Sequence, residues 1–155
     1  MSEASRGDAM QAEDGLYDRD FHAWAEEQAR LLRGGRTADA DIEHIAEEIE
    51  TLGASERREL ESRLKVLVLH LLTWQYQPEG RSTGWLGTID EQRDQIDSLL
   101  RQSPSLRQLV AEYLGHAYPK ARRSAIRETG LAPEVFPDCS PFSEQSLLDP
   151  DFLPE

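Results

Sequence analysis

From Leu60 to Trp74 the large apolar residues return at helical intervals. Leu60, Leu64, Leu67, Leu71 and Trp74 stand at i, i+4, i+7, i+11 and i+14. One face of an α-helix repeats in this way, whereas a strand repeats every second residue. From Val66 onward, in "VLVLHLLTW", apolar residues occur nearly all round, so this stretch is expected at the buried centre of the fold. A helix buried on every side needs other helices to cover it.

The rest of the chain supplies them. Around 18–33, Phe21, Trp24, Ala25, Gln28 and Leu32 share a face, with Asp18 or Asp20 as cap and Gly34–Gly35 as stop. Around 39–52, Ile42, Ile45, Ala46, Ile49 and Leu52 repeat the pattern, and Gly53 reads as the end. Ser55 reads as the cap of the long third helix, which Pro78 and Gly80 stop. A fourth, from about Thr83 to Arg101, presents Trp85, Ile89, Ile96, Leu99 and Leu100. Ser103 and Pro104 read as the start of a fifth, which Pro119 must kink or break before it stops at Gly130. The Pro-rich stretch after Leu131 carries Val135, Phe136, Phe142, Leu147, Leu148, Phe152 and Leu153, too apolar for a free tail. It is expected to wrap the bundle, with one short helix near 143–148. The expected class is all-α: four to five main helices, the fifth kinked, with a wrapping tail. The expected organisation is a polar, disordered segment over residues 1–15 and one helical domain over 16–155.

Charge narrows the partners. The chain carries 30 acids against 17 Lys and Arg, a net −13. Residues 1–50 hold 14 acids and 5 basic residues, or −9. Such a field repels phosphate backbones and disfavours nucleic acid. "KARRSAIR" (Lys120, Arg122, Arg123, Arg127) is the local exception, and reads first as a solvated helix end. One cysteine, Cys139, allows no internal disulfide and fits a cytoplasmic home. The acidic first fifteen residues lack a signal-peptide core, and no apolar run is long enough to span a membrane. A protein partner, another or a second copy, is the expectation that remains.

Four stretches together are similar to a known family: "EEIETLGASERRELESRL", "HLLTWQYQPEGRSTGW", "TIDEQRDQI" and "DPDFLP". They resemble the bacterial family called domain of unknown function 29, over roughly Asp20 to Pro154. The resemblance implies an all-helical fold and supplies no catalytic residue. Its pattern includes positions matching Glu47, Glu48, Glu50, His70, Trp74, Gln75, Arg81, Trp85 and Arg93, but not His44.

The residues themselves offer two candidate sites. "DADIEHIAEEIETLG" (39–53) holds six acids and a histidine. With Ile42 at zero and about 100° per residue, Asp41, His44 and Glu48 share a flank near 260°, 200° and 240°, while Glu47 near 140° faces away. Asp41, His44 and Glu48 are therefore the metal or acid–base candidates, with His70 as the donor from a facing helix. A two-residue turn at Gly53–Ala54 would make the two helices antiparallel neighbours. His70 would then lie roughly 15 Å along the axis from Glu48 and roughly 9 Å from His44, too far to share one ion. In that geometry Asp41 could accept a bond from His70, and Arg63 could pair with Glu48. The plainer reading is a solvated helix face and a satisfied core histidine. The second site is the corner "WQYQPEGRSTGW", where Trp74, Tyr76, Arg81 and Trp85 could line a small-molecule pocket or simply pack. No cofactor is named by any motif, and enzyme or non-enzyme stays open. The first functional reading is a non-catalytic interaction or self-associating module. The alternative is a metal-dependent or acid–base enzyme around His70 and the acidic second helix.

Overall fold

The computed structural model describes residues 15–155, so the polar segment expected at the start lies almost wholly outside the described residues. Regular structure among them is helical, with no strand. The chain forms two compact units, one ending at Gly53 and the other running Ala54–Glu155.

In the first unit a helical stretch at 15–19 leads into α1, Phe21–Arg33. Asp20 caps α1 by accepting from the Ala23 N–H at 3.0 Å. Gly35 ends it: at φ 72° it turns the chain back so that the Arg36 N–H reaches the Leu31 carbonyl at 2.9 Å. The buried face of α1 is Trp24, Gln28 and Leu31, while Phe21 and Leu32 are exposed. That corrects the expected stripe, which is rotated by about one residue toward Leu31.

The larger correction concerns Gly53. The expected hairpin is one continuous helix, α2, Ile42–Tyr76, of 35 residues. A glycine inside a helix costs only about 1 kcal/mol relative to alanine. It stops a helix by adopting a positive φ, and among the described residues only Gly35 and Gly130 do so. Consequently Ser55 is not a cap, and the partners inferred from an antiparallel hairpin do not form. Arg63 instead donates to Glu59 at 3.0 Å and to Gln92 at 3.4 Å.

The second unit holds the core. Leu60, Leu64, Leu67, Val68, Leu71 and Leu72 of α2 are completely buried, as the all-round apolar pattern requires. Each contributes roughly 1.5–3 kcal/mol by leaving water. Ile89, Ile96 and Leu100 come from α3, Thr83–Gln102, which Ser82 caps. A 3-10 turn at Pro104–Leu109 then precedes α4, Val110–Thr129. The Ser103 hydroxyl does not cap this turn; it donates to Glu56 at 2.8 Å. α4 continues through Pro119 without a break and ends at Gly130, φ 68°. Beyond it Phe136, Phe142 and Leu147 are buried in the same core, and α5, Glu144–Leu148, is capped by Ser143. The tail is a working part of the bundle.

Arg93 fixes it there. This guanidinium, 6% exposed, donates from Nε to the Leu147 carbonyl at 2.9 Å and from Nη2 to the Ser146 carbonyl at 3.3 Å. Both carbonyls sit in the last turn of α5, where a helix lacks its own donors. Burial lowers the Arg93 pKa, while Asp149 and Asp90 act against that shift.

Candidate functional site

The polar residues of the first unit converge on Asp41, which immediately precedes α2. Its backbone N–H donates to Gln28 Oε1 at 2.7 Å, which explains why a glutamine sits on the buried face of α1. Its Oδ1 accepts the His44 N–H at 3.3 Å, capping α2. Its Oδ2 accepts from Trp24 Nε1 at 3.1 Å and meets His44 Nδ1 at 2.6 Å. Burial pushes the Asp41 carboxyl up. The bonds from the His44 ring, the Trp24 indole and the His44 N–H outweigh it, leaving the carboxyl below its ordinary value.

Tyr17 completes the cluster. Its ring stacks on His44 with centroids 4.0 Å apart and 18° between planes, and meets Trp24 edge-on at 4.8 Å. Its hydroxyl donates to Glu48 Oε1 at 2.5 Å. That bond leads a set of causes, including the charges of Glu48, Glu47 and Asp18, that push the phenol up to about 12.

Asp41, His44 and Glu48 thus lie on one side of α2, as the helical phase predicts, but each already has a partner within the unit. Asp41 and His44 bond each other directly, and Glu48 bonds Tyr17. Among the described residues no group of three or more His, Cys, Asp or Glu is placed to hold a metal ion. His70 belongs to the second unit, where its Nδ1 meets the Val66 carbonyl of its own helix at 2.9 Å. The Asp41–His70 and Glu48–Arg63 contacts inferred from the hairpin are replaced by these. Tyr17 and Trp24 are members that sequence reasoning did not assign. Gln28, a polar residue on an apolar stripe, was the one signal pointing to the arrangement.

The aromatic corner separates into two. Arg81 lies over the Trp74 ring at 4.9 Å, and its Nε donates to the Trp74 carbonyl at 2.8 Å. Gly80 packs against Trp85 so closely that a Cβ there would come within 2.7 Å of the ring. Tyr76 turns away to meet Phe136 edge-on at 5.4 Å, joining the tail to the core. In the basic segment, Lys120 bonds Glu61 at 2.8 Å, and Arg122 donates to the Phe136 and Pro133 carbonyls. Cys139 is exposed.

The chain matches the family model described as Domain of unknown function DUF29 over residues 16–153. It belongs to the DUF29 family. No curated protein and no solved structure matches it. DUF29 membership therefore agrees with the all-helical core and assigns no chemistry to Asp41, His44 or Glu48. Among the described residues of this DUF29 chain, no helix is long and apolar enough to cross a membrane.

Proposed function

We propose that this DUF29 protein is a non-catalytic interaction module whose contact face lies on the first turns of α2. The observation that carries this reading is an apolar stripe open to water. Ile42, Ile49 and Leu52 are 53%, 64% and 69% exposed. A single exposed apolar side chain means little, but three at i, i+7 and i+10 on one helix mark a surface meant to be covered. The neighbouring polar cluster fits the same role. Trp24, Asp41, Tyr17 and His44 hold α1 against this segment and keep it helical. The reading is for a bacterial cytoplasmic protein, supported by the single cysteine, and the acidic balance disfavours nucleic acid.

The test places a photo-crosslinking residue at position 49 and, as control, at exposed Asp94. A discrete adduct from position 49 that disappears with Leu52→Glu, and is absent from position 94, is the expected result. Equal labelling from both positions overturns the reading.

A second reading rests on the 2.6 Å contact of Asp41 with His44, which orients an imidazole as an acid–base group would be oriented. It is tested by metal content, by melting with and without chelator, and by His44→Gln. Stoichiometric metal with a chelator-sensitive melt, or a defined reaction lost in folded His44→Gln, favours it over the interaction module.

A further inference from the structure

The stripe on α2 has a charge as well as a shape. Between Ile42 and Gly53 the helix holds Glu43, Glu47, Glu48 and Glu50 and no lysine or arginine. Glu48 is held by Tyr17. Among the described residues no hydrogen bond or ion pair engages the side chains of Glu43, Glu47 or Glu50. On a helical projection these three fall roughly 80–140° round from Ile42, forming an anionic border along one side of the apolar face. Ala46 and Gly53, at roughly 40° and 20°, lie between that border and the isoleucines and leave room for close approach.

The chemistry of the occupant follows. Resting on the interaction reading above, we propose that the face Ile42–Ile49–Leu52 docks a basic amphipathic helix of a partner protein. Apolar anchors of that helix meet the isoleucines and Leu52, and its flanking lysines or arginines meet Glu43, Glu47 and Glu50. A second copy of this chain presents the same carboxylates and no cation over the matching turns, so like charges would oppose docking. The chain's own residues 1–14, with four acids and one arginine, offer no complement either. A helix is the natural occupant of a helical stripe because its own anchors also recur at steps of three, four and seven residues, matching the steps from Ile42 to Ile49 to Leu52.

Two labelled probe peptides separate the outcomes by fluorescence anisotropy. Both carry leucine at heptad a and d positions over two heptads; one has lysine at the flanking positions and the other glutamate. The lysine peptide should bind at least roughly tenfold tighter at low salt, with the gap narrowing as salt screens the charges. Ile49→Glu should abolish binding of both peptides, and the triple variant E43Q/E47Q/E50Q should close the gap while leaving the residual apolar affinity. Ile49 is an exposed helix position, so the circular dichroism and urea midpoint of the variant should match those of the wild type. Equal binding of both peptides, lost in Ile49→Glu, overturns the charge inference and leaves the interaction module standing. No peptide binding, with wild-type self-association in sedimentation that Ile49→Glu removes, makes a second copy the occupant and again overturns only this inference. No binding and a monomeric protein overturn both.

Discussion

The Trp24 indole N–H donates to Asp41 Oδ2 across 3.1 Å, joining the middle of α1 to the start of α2. Trp24 is 4% exposed, so this bond is largely shielded from water, and without it Asp41 Oδ2 keeps only its contact with His44 Nδ1. Trp24→Phe should therefore destabilise the first unit by about 1–2 kcal/mol. Asp41→Ala should cost about 2 kcal/mol or more, because the cap on His44 goes as well. Amide hydrogen exchange reads this locally: protection should fall across α1 and hold in α3. A uniform fall across both would show that the bond does not act locally.

The depressed Asp41 carboxyl gives that unit a pH dependence of fixed sign. A folded-state value below the unfolded one, about 3.9, means that the contribution is complete above the unfolded value. It is lost as pH falls through the folded one. The stability difference between wild type and Asp41→Asn, from urea denaturation, should be largest at pH 6 and shrink toward pH 3. A difference that stays constant or grows toward acid contradicts the assignment.

Tyr17 titrates in the opposite direction. Its phenol is raised to about 12, first by the bond to Glu48, so its contribution is present below pH 10 and lost as pH rises through about 12. Tyrosinate absorbance should show Glu48→Gln bringing one late ionisation to lower pH. Tyr118, raised to about 12 mainly by burial, should stay where it is.

Arg93→Ala removes two bonds to the last turn of α5 and leaves the buried Leu147 carbonyl without a donor from this side chain. A loss of about 2–4 kcal/mol is expected, with chymotryptic cleavage at Phe136, Phe142 or Leu147 becoming fast. Arg93→Lys should recover only part, since an ammonium lacks the planar fork that reaches two carbonyls. Full rescue by lysine would mean that charge alone holds the tail.

The continuity of α2 is open to a direct check. Ala54→Pro would be tolerated in a turn but should cost about 3 kcal/mol inside a helix. This position also shows where the sequence was legible and where it was not. The cap at Asp20, one of two aspartates the sequence offered, the stop at Gly130 and the apolar tail were readable because each acts through its nearest neighbours or through a long apolar run. Gly53 was misread because the residue type reports freedom to adopt a positive φ, and the neighbouring turns decide whether it does so. Leu31 replaced Leu32 on the buried face for a similar reason: both fit a broad stripe, and packing chose between them. The stripe Ile42–Leu52 was correctly apolar, but periodicity reveals that a face is apolar and not whether this chain covers it. The cluster of Tyr17 with His44 joins residues 27 positions apart (44 minus 17), beyond the reach of any local pattern.

The Arg93 clamp also imposes an order on biosynthesis. Leu147 is polymerised 54 residues after Arg93, and Phe136 and Phe142 also follow α3. While those residues are still to be added, the guanidinium has no carbonyls to bind, and the leucines of α2 lack part of their cover. A nascent chain halted before α5 therefore carries a hydrated cation beside an incomplete apolar interior. Exposed apolar surface of that kind is what chaperones and proteases act on in general, and the last short helix supplies the missing cover here.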